Sequence, residues 1–174
     1  MYDKGYVLIS LHKIAKMETQ PDGTVQMVQQ PIYLPRGKKP FVLSEDDVCY
    51  YEYMTGTGFA TKLCLDENGK VVNEYVERDG SVSYGSYDVL TVLEDFIETH
   101  PDFSYQGSKG ILAFTGYDGI LGYRTSDFWY NENCDYYVST PANDKEKRED
   151  HTSPNENIEQ DKQTAREVAQ AIRD

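Results

Sequence analysis

Long apolar runs are missing from this chain of 174 residues. No stretch approaches the roughly 18 apolar residues that would mark a membrane-spanning helix. Positive charge is also scarce: 17 Lys and Arg stand against 30 Asp and Glu, a net charge of −13. Such a surface repels phosphate backbones and anionic lipid, which argues against nucleic acid and membrane surfaces as partners. Cysteine is limited to Cys49, Cys64 and Cys134. No two are spaced C-x-x-C, which argues against a zinc ribbon or a thioredoxin-type site. One disulfide would fit, as would three structural thiols, but an odd count cannot pair fully. No basic segment followed by a long apolar stretch opens the chain, so no signal peptide is visible.

What is present is a globular composition. Hydrophobic residues make up 39% and aromatics 13%, too apolar for a disordered chain and enough for one domain with a core over residues 1–174. Residues 6–11 form a short apolar run suited to a buried strand. "TQPDGT" at 19–24 is a turn cluster, and 25–34 reads as extended until "PRGKKP" breaks it. A second apolar run, 41–43, predicts a buried strand ending at Ser44 and Glu45. Residues 59–65 and 71–76 flank "DENGK", where Asn68-Gly69 favours a tight reversal; this predicts a β-hairpin.

Further on, Ser86 is placed to cap a helix whose Val89, Leu90, Leu93, Phe96 and Ile97 share one face, with Pro101 ending it. "GILAF" at 110–114 predicts a third buried strand running into the Gly-rich "TGYDGILGYRT". Residues 126–157 are polar and irregular. A final helix places Ile158, Ala165, Val168, Ala169 and Ile172 on one stripe. Nothing closes that helix at its end, and both termini read as cut from something larger. Short buried strands alternating with helices predict an α/β fold with parallel pairing, and Leu8, Ile9, Val42, Leu43, Ile111 and Leu112 are its expected core.

The segment richest in chemistry is "PFVLSEDDV", an apolar run entering three carboxylates, Glu45, Asp46 and Asp47. On a strand, neighbours point to opposite sides, so Asp46 and Asp47 need not share an environment. In α/β proteins, strand C-terminal ends are where active sites gather. A solvated turn is the alternative.

This segment resembles the first motif of the polysaccharide deacetylases, carbohydrate esterase family 4, a strand ending in Thr-Phe-Asp-Asp-Gly. Here Ser44, Glu45, Asp46, Asp47 and Val48 occupy those places, with Glu45 for the family's Phe and Val48 for its Gly. The resemblance extends through "GYVLISLHKIAKM", "QQPIYLPRGKKPFVLSEDDVCYYEYM", "DENGKVVNEY" and "HPDFSYQGSKGILAFTGYDGILGYRT". It implies a partial, distorted (β/α) barrel with an inserted β-hairpin, acting in metal-dependent N-deacetylation of an acetylated polysaccharide. By the resemblance Asp46 is the general base, Asp47 a ligand of a divalent cation, normally zinc, and the parent family works at the cell envelope or outside the cell. The family's His-x-x-x-His metal motif is absent: His12, His100 and His151 are the only histidines. The chain alone is therefore expected to be inactive, with the rest of the barrel or self-association as a possible complement.

Two residues of the Gly-rich loop, Tyr117 and Arg124, are candidates for contacting the sugar, with an ordinary turn-rich loop as the other reading. Tyr50, Tyr51, Tyr53 and Trp129 could stack on sugar rings, or belong to the core. A different class of function stays open beside the enzyme: a non-catalytic glycan-binding or scaffold protein built on the esterase fold.

Overall fold

A computed structural model of the chain describes residues 1–116, 119–128, 130 and 155–173, with the Tyr53 side chain excepted. It falls into two compact units: Met1–Glu45 with Leu93–Leu112, and Asp46–Val92 with Ala113–Asp174. Among the described residues there are three two-stranded sheets and one three-stranded sheet, and none closes into a barrel.

In the first unit, β1 (Tyr6–Leu8) and β4 (Lys39–Phe41) pair in parallel, Tyr6 opposite Lys39 and Leu8 opposite Phe41. Pro40 lacks an N–H, which costs no ladder bond because Lys39 and Phe41 are the β4 residues whose backbone groups bond toward β1. Val7, Leu8 and Ile9 are buried, and the rings of Tyr2, Phe41, Phe96 and His100 gather around buried Phe103 or one another. Tyr2 donates to Asp102 Oδ1 at 2.8 Å, and this hydroxyl holds the Asp102 carboxyl below its usual range. A separate hairpin joins β2 (Ala15–Thr19) to β3 (Val25–Gln29), with Met17 opposite Met27.

The second unit is built on an antiparallel sheet of β6 (Ala60–Leu65), β7 (Val71–Val76) and β8 (Val82–Gly85). The reversal between β6 and β7 forms at Asn68-Gly69, where Asp66 Oδ1 accepts from the N–H groups of Asn68 and Lys70, both at 2.8 Å. Leu63 and Asn73 face each other across β6 and β7 and are fully buried. Helix α2 (Ile158–Arg173) packs against β6 and β7 and buries Ala165 and Val168, on the stripe expected from sequence.

Buried Asn73 is satisfied by a polar network. Its Nδ2 donates to Asp88 Oδ2 at 2.5 Å, while its Oδ1 accepts from Thr91 Oγ1 at 2.6 Å and from the Tyr87 N–H at 3.0 Å. The Tyr50 hydroxyl donates to the same Asp88 oxygen. The other oxygen, Oδ1, accepts from the N–H groups of Leu90 and Thr91 at 3.1 and 3.4 Å. Asp88, not Ser86, is therefore the N-cap of α1 (Val89–Thr99). Tertiary demand decides between the two: only Asp88 also satisfies Tyr50 and Asn73. Val89, expected on the buried face, is 41% exposed in the first turn; Leu90, expected there too, is buried, and so is Thr91.

One expected strand shifts, and the strand expected at 110–114 forms in place but mostly exposed. The run 41–43 does not itself form the strand that ends in the carboxylates; β4 stops at Phe41, and Ser44–Val48 forms β5. Residues 111–114 form β9 (Ile111–Phe114), paired with β5. Of the expected core, Leu8 and Ile9 are buried, Val42, Leu43 and Leu112 are half-buried, and Ile111 is exposed. Val42 and Leu43 fall between β4 and β5 rather than within a strand.

Candidate functional site

Asp46 and Asp47 lie within β5, and both are exposed. Asp47 adopts φ 53°, in the left-handed region. Short polar side chains such as Asp visit this region more readily than most residues. A left-handed residue interrupts the regular alternation of side chains along a strand.

Asp47 Oδ1 accepts a hydrogen bond from Thr115 Oγ1 at 2.6 Å. The Thr115 N–H donates in turn to the Val48 carbonyl at 3.1 Å. Thr115 stands where β9 passes into the Gly-rich loop, so the carboxylate motif and that loop, far apart in sequence, are clasped by two hydrogen bonds. Sequence reasoning passed over Thr115; its only signal is its place directly after the apolar run.

The Gly-rich loop has a packing role. Leu121, buried, accepts at its carbonyl from the Leu63 N–H at 2.9 Å. Gly122, with φ 89°, lies so close to β6 that a Cβ would overlap the Thr61 carbonyl and Lys62. At Gly119 a Cβ would strike the Tyr123 carbonyl and Thr125. These glycines let backbone lie against backbone.

Arg124 is half-buried and donates from Nη1 to the Tyr50 carbonyl at 2.8 Å, while its own carbonyl accepts from Asn155 Nδ2 at 2.9 Å. The first contact ties the loop to the segment after β5, and the second ties it to Asn155. Tyr117 lies outside the described residues, as do Trp129, Cys134, His151 and the Tyr53 side chain. Tyr50 is buried with its hydroxyl on Asp88, which places it in the core rather than on a sugar-stacking surface. Burial pushes the Cys64 thiol up.

No family model fits the chain, and neither the curated proteins nor the solved structures contain a significant match.

The resemblance implies a catalytic zinc site. Such a site takes three protein ligands and leaves a fourth position open. Among the described residues no three His, Cys, Asp or Glu side chains converge in that way. His100 Nδ1 is engaged with Thr99 Oγ1 at 2.9 Å and the Phe96 carbonyl at 3.2 Å, and His12 is exposed. The described residues do not by themselves fit the metal. A cavity of about 420 Å³ in the second unit is lined by Gly58, Tyr75, Glu77, Arg78 and Asp79, and Asp46, Asp47 and Arg124 are not among its walls. No helix among the described residues is long and apolar enough to cross a membrane.

Proposed function

We propose that this chain carries the first motif of a metal-dependent polysaccharide N-deacetylase, within the partial (β/α) barrel that its sequence resemblance implies. One observation supports the reading most: the hydrogen bond from Thr115 to Asp47, which joins the carboxylate motif to the loop holding Tyr117 and Arg124, the two candidate sugar contacts. In this reading Asp46 is the general base, Asp47 faces the cation, and an acetylated glycan is the substrate. The carboxylate of Asp47 is one ligand, so the remaining ligands must come from outside the described residues.

A second reading is favoured by a different observation. Asp47 is already committed to Thr115, and no ligand cluster surrounds it among the described residues. That geometry suits a non-catalytic glycan-binding or scaffold protein on the same framework.

The two separate in one experiment. The chain is expressed alone and together with whatever coding sequence flanks it, and each form is given acetylated chito-oligosaccharide with zinc. The enzyme reading expects acetate release from the extended form, abolished in Asp46→Asn, and none from the chain alone. Glycan binding by both forms without any acetate release would replace the enzyme with the binding protein. Absence of both binding and release would remove both readings.

A further inference from the structure

The hairpin of β2 and β3 has an open edge whose geometry can be worked out residue by residue. At its two ends the Gln20 N–H donates to the Thr24 carbonyl and the Gln30 N–H to the Ile14 carbonyl, both at 2.7 Å. In an antiparallel pair, hydrogen-bonded and non-bonded positions alternate. With Met17 opposite Met27, the even-numbered residues of β2 therefore turn their backbone groups toward β3. Ala15, Met17 and Thr19 turn theirs outward. The sheet has two strands, so no described strand meets that edge. The outer edge of β3 is partly occupied, because Gln30 Nε2 donates to the Gln29 carbonyl at 3.3 Å.

We infer that the free edge of β2 is a self-association interface, at which two copies of the chain join β2 to β2, antiparallel, about a twofold axis through Met17. A chain of net charge −13 repels its own copies over most of its surface. β2 carries one charge of each sign, Lys16 and Glu18, on either side of Met17, and the two already pair with each other along the strand at 2.9 Å; across the axis each gains a second opposite charge. The twofold axis places Lys16 of each copy directly opposite Glu18 of the other. Both pairs fall at non-bonded positions, where facing side chains stand closest, and opposite charges there stabilise the pairing. Met17 of one copy meets Met17 of the other as a hydrogen-bonded pair.

Charge also fixes the register. Only even slips keep outward-pointing backbone groups opposite each other. A slip of two residues one way sets Lys16 against Lys16, and the other way sets Glu18 against Glu18. Like charges directly opposite are destabilising, so the Met17-centred register is selected.

The apolar face agrees. Met17 and Met27 are 69% and 66% exposed, and Val25 is 54% exposed on the same face. Pairing through β2 lines up four methionines across four strands. A lone two-stranded ribbon is marginal in water, whereas three or more strands with a shared apolar face are not.

Sedimentation velocity on the whole chain tests this, up to about 100 μM, where a dimer with micromolar Kd is almost fully formed. A concentration-dependent dimer is expected. Met17→Pro removes the N–H at the axis but none of the bonds from β2 to β3, and should weaken association at least tenfold with circular dichroism unchanged. The charge variants provide an independent check should the proline variant misfold. Lys16→Glu and Glu18→Lys should each be monomeric alone, and an equimolar mixture should recover the dimer, because each then opposes the other's charge. A wild-type chain that stays monomeric, or a mixture that associates no better than its components, would overturn the interface.

Discussion

Two hairpins in this molecule reverse by the same chemistry and come to different ends. In β2–β3, Gly23 takes φ 84° and its N–H returns to Gln20, while Asp22 Oδ1 accepts from the Thr24 N–H. In β6–β7, Gly69 takes φ 81° and its N–H returns to Asp66, whose carboxylate accepts from Asn68 and Lys70. Yet the facing pair Leu63 and Asn73 is sealed from water, and the facing pair Met17 and Met27 is mostly in it. The turn determines where a chain reverses. What lies above and below determines whether the resulting ribbon has a core. β6 and β7 gain a third strand, helix α2, and the Tyr50–Asn73–Asp88–Thr91 network; β2 and β3 gain none of these within their unit.

The contrast is broken most severely at Asn73. Asn73→Ala would leave the Tyr87 N–H without its acceptor and take one of two donors from Asp88 Oδ2, while Thr91 Oγ1 falls back on its longer contacts to Asp88. Leaving a buried polar group unsatisfied costs about 1–3 kcal/mol, so a fall of roughly 2 kcal/mol or more in urea-unfolding stability is expected. A change below about 1 kcal/mol would mean that the network adds little to the cover of the sheet.

A smaller effect follows from Tyr123, which is buried with Lys62 Nζ 5.8 Å from its ring centre. Burial, with Cys64 and Glu74 nearby, pushes its phenol from 10.0 up to about 12. The folded state thus favours the neutral ring. Its contribution is intact below pH 10 and is lost as pH rises from 10 toward 12. Ultraviolet titration should find Tyr123 ionising late, and Tyr123→Phe should remove that contribution from the late phase and raise resistance to alkaline unfolding. If all the tyrosines ionise together near pH 10, the ring is not covered as described.

The smallest change is expected at the exposed hairpin. The double replacement of Met17 and Met27 by Ala should alter the stability of the dilute, monomeric chain by no more than about 0.5 kcal/mol, as for surface positions in general. A loss of several kcal/mol would show that this ribbon has a cover of its own.

Legibility from sequence follows the same division. Turn positions were readable, because Gly and Asp act locally: "TQPDGT" and "DENGK" both reverse the chain. Helices α1 and α2 were readable from their stripes. β2 was not anticipated, since "AKMET" shows no burial that would impose a pattern. β5 was hidden for a related reason: "SEDDV" is polar and mostly exposed, whereas the apolar run before it drew the strand assignment. At the candidate site the two Asp residues stood out in the sequence, but the Thr115 contact spans 68 positions and no local rule reaches that far. The cap at Asp88 was missed because Ser86 satisfies the local criterion equally well, and only distant Tyr50 and Asn73 distinguish them.

Asp88 has one more consequence, in time rather than in space. Its carboxylate is shared by donors from three separate stretches of chain: Tyr50, Asn73, and the first turn of α1. Removing any one leaves a half-satisfied anion in a part-buried place, so a partial opening of this region gains little freedom for its cost. The amides of Tyr87, Leu90 and Thr91 should therefore exchange their hydrogens with solvent as a single cooperative group, at one shared opening free energy, instead of fraying in sequence from the start of the helix.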